Sequence, residues 1–331
     1  MEVHQLFLPD VPETAIPSDM RDEGGSVLLT SATDGIVELR RNADGWWVSR
    51  RWTIGDPLPA GAFGMALYGE GDLVFVIVHS QGVFKLQGRS GTWVEWPHSG
   101  PMPLVVGMAL QRGRGLWVGT GATIGAPNGG AAHFLPTQGE PFRIRIVDRQ
   151  VQPGGSMLVK ESESVWMATR SGVVQADTWG RLRLLSTLRV QTLFRNTKTG
   201  ETAAVGASIQ RWSESEGFVP VIFEVPFREP HEMGHPIDVV VDNQGRWTIL
   251  YSGGKVVLLN AQRQFEALLD AEHGIEPTSR KLLHLPDTDE ILIGTGNRGL
   301  SLLTRRAANL SGPLTQTGKP SASHPLPHHF R

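Results

Sequence analysis

One pattern recurs seven times along this chain and limits what it can fold into. Four copies are plain: "GLWVGTGATIGAPNGGAAHF" from Gly115, "SVWMATRSGVVQAD" from Ser164, "RWTILYSGGKVVLL" from Arg246 and "EILIGTGNRGLSLL" from Glu290. Three looser ones join them: "SVLLTSATDGIVEL" from Ser26, "DLVFVIVHSQGVFKL" from Asp72 and "ETAAVGASIQRW" from Glu201. Each is a short apolar run, a polar or glycine break, and a second apolar run. The spacing is roughly 45 residues, a period that signals stacked or radial repeats.

The flanks repeat too. A further short apolar run ending in a polar turn precedes most copies, as in "FGMALYGEGD", "VVGMALQRGRG" and "IDVVVDNQGR", and a turn with a fourth run follows, as in "GRSGTWVEW". Strand, turn, strand, turn, strand, turn, strand, repeated seven times, is the pattern of a seven-bladed β-propeller with four antiparallel strands per blade. The seventh copy loses its pattern at "RRAAN" and lacks a fourth strand, while the N-terminal "VHQLFLP" alternates like a strand but has no blade. Placing that N-terminal strand beside the seventh copy completes the blade and removes an open edge. The expected organisation is one propeller over 1–304 and a tail over 305–331. The stretch from Leu310, rich in Pro, Ser, Thr and His, buries too little apolar surface to offset its ordering entropy.

The repeats resemble those of the sensory propellers of bacterial two-component regulators, whose unit reads approximately Gly-x-Leu-Trp-(Val/Ile)-Gly-Thr-x-x-Gly-Leu. "GLWVGT" at 115–120 and "IGTGNRGL" at 293–300 carry the closest likeness, and "VWMATRSGV" at 165–173 a fair one. The resemblance covers about 300 residues and implies the fold, with sensing or assembly as the associated roles. No kinase, receiver or membrane segment is written in these 331 residues.

Composition narrows the function classes. With 40 % hydrophobic and 19 % charged residues the chain can bury a full core, and its net charge of −2 offers no field for nucleic acid or an anionic membrane. No apolar stretch is long enough to cross a membrane as a helix, so no membrane insertion is expected. The absence of cysteine excludes disulfides, thiolate catalysis and Cys-ligated zinc. "MEVHQLFLPD" has no basic region followed by an apolar one, so a cytoplasmic location is expected, the alternative being a mature chain whose signal was removed.

One motif suggests catalysis. "EPHEMGHP" at 229–236 spells His-Glu-x-x-His with His231, Glu232 and His235, which on a helix would bind zinc. Pro230 and Pro236 bracket it and Gly234 interrupts it, so at most one helical turn fits and His235 is pushed out of the α region. A zinc peptidase is therefore rejected, and no metal or other cofactor is expected.

In a four-stranded antiparallel blade, the loops after strands two and four lie at the same end. That end gathers Asp34, His79, Gln81, Asn128, Arg170, His231, Glu232, His235, Tyr251, Asn297 and Arg298, and the long loop at 119–132, whose glycines leave backbone amides exposed. The turns at the other end, "GEGD", "DNQG" and "PDTD", are short and generic. Trp117, Trp166 and Trp247 recur in strand two and read as packing between blades. Trp46, Trp47, Trp93 and Trp96 fall on outermost strands, where alternation is expected to expose one of each pair. The resulting expectation is a non-catalytic binding or scaffold module that presents its loop-rich face to a protein partner or small ligand. The alternative is a propeller-type lyase or lactonase with a metal-assisted site at the pore mouth.

Overall fold

In the computed structural model the described residues are 1–6, 8, 17–23, 26–31, 35–43, 45–54, 57–58, 65–70, 73–78, 82–87, 92–97, 105–121, 131–145, 153–161, 164–169, 171–177, 179–196, 200–222, 233–295 and 299–305. They form seven antiparallel sheets. Blade 1 holds Pro17–Glu23, Ser26–Ser31, Gly35–Asn42 and Gly45–Ile54, with the short Pro57–Leu58 added in parallel. Blade 2 holds Met65–Glu70, Leu73–Val78, Gly82–Gln87 and Thr92–Glu95, and blade 3 holds Val105–Gln111, Gly115–Thr120, Ala131–Pro136 and Phe142–Arg145. Blade 4 runs Pro153–Glu161, Ser164–Thr169, Gly172–Asp177 and Leu182–Ser186; blade 5 runs Val190–Arg195, Thr202–Gly206, Ile209–Ser213 and Gly217–Pro220. Blade 6 is Pro236–Val241, Trp247–Tyr251, Lys255–Leu259 and Phe265–Leu269.

Blade 7 is completed from the other end of the chain. Its own strands are Lys281–Leu285, Glu290–Gly294 and Leu300–Thr304, and Glu2–Leu6 pairs with the last of them, from Glu2 opposite Thr304 to Leu6 opposite Leu300. The chain is a seven-bladed propeller closed by its N-terminal strand, as the repeat count predicts. Val3 packs into the apolar cluster between blades 6 and 7, and Leu6 into the one between blades 7 and 1, so one short strand fastens two interfaces.

The core is not a single mass. Seven apolar clusters occupy the seven interfaces between neighbouring blades, because each sheet is apolar on both faces and must be covered twice. Side chains in strand two alternate between them. Trp166 and Ala168 face blade 5 while Val165 and Met167 face blade 3. Trp117 likewise faces blade 4. Trp247 is also buried but faces backward onto blade 5, with Ala203 and Ile209. It stands four residues before the end of its strand where Trp166 stands three, and a one-residue difference reverses the face.

The outer tryptophans need one correction. Trp47 is exposed and Trp46 half-buried, as alternation predicts, but Trp93 and Trp96 are both buried. They lie three residues apart and so point to opposite sides. Trp93 meets Trp52 of blade 1 edge-on at 5.8 Å, and Trp96 meets Phe75 at 5.2 Å and donates its indole N–H to Leu135 O of blade 3.

Arg305, just past the expected domain boundary, is buried. It donates to Trp247 O at 2.7 Å and lies 3.7 Å from the fully buried Asp242 carboxylate. Burial, against the pull of Asp242, lowers its guanidinium pKa to about 10. The end of blade 7 is thereby tied to blade 6.

Candidate functional site

The two ends of the disc differ in how their polar groups are used. At the end carrying the strand-one-to-two and strand-three-to-four turns, side chains close their own turns. Asp177 accepts from the backbone N–H of Trp179 and Arg181 and from Arg181 Nε. Asp242 does the same with Gln244, Arg246 and Arg246 Nε, and Asn260 with Gln262 and Gln264. Such local bonds satisfy turn donors without help from outside. Around blades 6 and 7 the remaining charge is also paired: Asp289 holds Arg246 at 3.2 Å and His284 at 2.9 Å.

The other end, with the strand-two-to-three and strand-four-to-one connections, is the face the sequence singles out. In three blades a threonine at the end of strand two closes the next loop: Thr120 donates to Ala131 O, Thr169 to Gly172 O and Thr295 to Gly299 O. All three are buried, which gives the "GT" of the repeat a structural job the sequence reading left unassigned. Above Thr120 lies the base of the long loop. There His133 Nε2 sits 3.4 Å from Thr120 Oγ1, and burial, then Arg143, lower its pKa to about 4.

Of the expected face residues, Asp34, His79, Gln81, Asn128, Arg170, His231, Glu232, Asn297 and Arg298 lie outside the described residues, as do 306–331. His235 and Tyr251 are described. Tyr251 packs in the cluster between blades 5 and 6, and burial pushes its hydroxyl pKa up to about 12. His235 is exposed and bridges two blades. Gln191 Nε2, from the inner strand of blade 5, is 2.9 Å from His235 Nε2, and Ser252 Oγ of blade 6 is 3.3 Å from Nδ1. With the Gln191 amide donating to Nε2, the ring proton is on Nδ1 and points at Ser252, which also accepts the His235 backbone N–H at 3.1 Å. The hydroxyl thus accepts from a ring that would have to take its proton if it were a nucleophile.

The structure also explains the local sequence. Gly234 has φ 73°, and a Cβ there would meet Ser252 Oγ at 2.2 Å, so only glycine lets the loop press against Ser252. Pro236 opens the inner strand of blade 6 immediately afterwards. No helix runs through His235, and the His-Glu-x-x-His letters lack the zinc-binding frame at that residue.

The same face carries a cavity the sequence reading missed. About 320 Å³ lies between blades 4 and 5, walled by residues 184–188 on one side and by Gln210, Phe218 and Pro220 on the other. Ser186 donates to Gln210 Oε1 at 2.7 Å, while Gln210 Nε2, buried with its residue only 2 % exposed, has no hydrogen-bond partner among the described residues. A signal for it does exist in the sequence: residues 178–200 hold Arg181, Arg183, Arg189, Arg195 and Lys198 and no acid, in a chain of net charge −2.

No protein-family model and no curated protein matches the chain. Solved structures do. The extracellular domain of BT4673 of B. thetaiotaomicron, described as a hybrid two-component system, superposes with a TM-score of 0.66 at 15 % identity, over 92 % of this chain and 40 % of that one. The corresponding domain of BT3049 gives 0.66 at 11 % identity, over 92 % and 42 %. The chain shares their propeller fold. It spans about two fifths of the length of those domains. A third similar structure is YCF48 bound to D1 peptide, with a TM-score of 0.61 at 13 % identity, over 92 % of this chain and 97 % of that one. Among the described residues no helix is long and apolar enough to cross a membrane, and no three His, Cys, Asp or Glu are grouped to hold a metal ion.

Proposed function

We propose that the chain is a non-catalytic binding module that presents the face bearing its strand-two-to-three and strand-four-to-one loops to a protein partner. One observation carries the reading. Among the described residues, Asp177, Asp242 and Asn260 of the opposite turns close their own turns, whereas this face holds an open cavity between blades 4 and 5. A binding site needs a concave apolar surface with a few convergent polar groups on a rigid frame. The similar propeller solved with a peptide supports a protein partner, and the likeness to extracellular two-component domains supports a sensing or regulatory setting.

The test begins with cross-linking and mass spectrometry of the tagged chain in its source cells, followed by binding assays with the recovered partner. Shortening residues 121–130 to a two-residue turn, or replacing Arg170 and Arg298 with Ala, should abolish binding while the melting temperature holds. Reversing charge at Glu214 and Glu216, on the opposite face, should leave binding intact. Loss of binding only in the Glu214 and Glu216 variant, or turnover of a small substrate that disappears in His235→Ala, overturns the assignment.

A further inference from the structure

We propose that the outer edge of blade 4, together with the cavity beside it, is a docking strip for an extended acidic segment of a partner protein. The segment adds to the blade as a fifth strand. This rests on the binding-module reading above and names where and with what chemistry the partner is held.

Exposed apolar surface is concentrated here. Of the eight exposed large apolar side chains among the described residues, four are Trp179, Leu182, Leu184 and Leu188, at 65 %, 42 %, 49 % and 42 % exposure. The other described outermost strands carry at most one each. Contiguous exposed apolar residues mark contact surfaces, where scattered ones do not. Trp179 is held in place by the Asp177 turn, with the Arg181 guanidinium 5.0 Å above its ring.

Leu182–Ser186 is the last strand of its sheet and no described strand pairs with its outer side, so its outward N–H and C=O groups are a template for another strand. At about 3.3 Å per residue, these five residues offer an edge of roughly 17 Å. The two faces of that edge differ. Leu182 and Leu184 lie opposite Ala176 and Val174, which face blade 3. Arg183 lies opposite Gln175, itself opposite Trp166, and so faces the blade-5 side of the sheet. Arg183 and Arg189 are exposed and form no ion pair among the described residues.

A strand laid on this edge therefore meets leucine on one face and arginine on the other. The complementary segment alternates apolar and acidic residues. Where it reaches the cavity it meets the wall that Ser186 and Gln210 form between blades 4 and 5. The charge also excludes two other occupants. A second copy pairing edge to edge would bring a second exposed Arg183 and Arg189 of like charge to the same edge, which is unfavourable. The chain's own residues 306–331 contain no Asp or Glu.

The probe is a short fluorescent peptide alternating leucine and glutamate, titrated into the full chain by fluorescence anisotropy, beside the same peptide with lysine for glutamate. The acidic peptide should bind saturably and the basic one should not. Arg183→Glu with Arg189→Glu should raise Kd at least about tenfold, and Leu182→Ser with Leu184→Ser by a similar factor. These positions are exposed, so melting temperatures should stay at the parent value.

The proposal is overturned by no saturable binding, equal binding of the basic peptide, indifference to both double variants, or uptake onto phosphatidylserine-containing vesicles that Arg183→Glu with Arg189→Glu removes. A concentration-dependent dimer dissolved by Leu182→Ser with Leu184→Ser would assign the edge to self-association instead and also overturn it. If the peptide fails but the natural partner is still lost on shortening residues 121–130, the strip falls and the face assignment stands. If the peptide binds and that loop variant changes nothing, the face assignment falls and the strip stands.

Discussion

Acidification should loosen the base of the long blade-3 loop through one histidine. His133 is in the third strand of blade 3, more than half buried, with the Arg143 charge near it and Thr120 at 3.4 Å. Burial, then Arg143, keep its ring neutral, lowering the pKa from 6.5 to about 4. A histidine whose folded pKa lies below its unfolded one binds fewer protons in the native state, so its effect on stability falls as pH drops. The loss is absent above about pH 6.5, grows below it, and is complete near pH 4. A shift of that size corresponds to an upper bound of about 3 kcal/mol at 1.36 kcal/mol per unit, and partial solvent access reduces this to roughly 2. Carboxylates also titrate in this range, so the measurement must be a difference. Urea unfolding of the parent and of His133→Gln at pH 7.5 and 4.5 should show the variant gaining roughly 2 kcal/mol on the parent at the lower pH. Parallel stability curves for the two proteins would refute the reasoning.

Two further outcomes follow from packing. Deleting residues 1–6 removes the partner of Leu300–Thr304 and withdraws Val3 and Leu6 from two interface clusters, so differential scanning calorimetry should show a large drop in melting temperature, with aggregation through the bared edge. Gly172→Ala should cost at least about 3 kcal/mol in urea unfolding. Its φ is 130° and a Cβ would lie 1.7 Å from Ser186 O, backbone that cannot move aside without pulling on the blade-4 edge; a near-neutral result would mean that edge is soft.

The architecture was legible because it is periodic. Each blade must cover two faces with apolar side chains, and that requirement repeats the "LWVGT"-type run until it can be counted, down to the missing strand that Glu2–Leu6 supplies. Phase along a strand is harder to read than pattern. Trp247 resembles Trp166 in letters, yet its place one residue further from the strand end sends it to the opposite neighbour. Alternation predicts one exposed ring of Trp93 and Trp96, but a separation of three puts one ring on each side and both are covered. The cavity was missed for a different reason. Its walls come from strand four of one blade and strands three and four of the next, and a scan within each repeat does not pair Ser186 with Gln210.

That difference between repeated and unrepeated residues bears on function. Asp177 and Asn260 close strand-three-to-four turns in blades 4 and 6 and Asp242 a strand-one-to-two turn in blade 6, and a side chain committed to its own turn has less to offer a partner. Gln191 of blade 5 meets the His235–Ser252 pair of blade 6 across a blade boundary. Gln210 likewise uses its oxygen on the preceding blade and leaves its nitrogen unspent. Groups of the second kind cost the fold something to keep buried or crowded, since an unsatisfied buried amide is worth a kcal/mol or more against folding, roughly 1–3. The leucines on the adjoining edge add an aggregation hazard that Arg183 only partly blunts. A partner strand that covers those leucines removes that hazard, which is the physical ground for placing recognition at the edge of blade 4 beside its junction with blade 5.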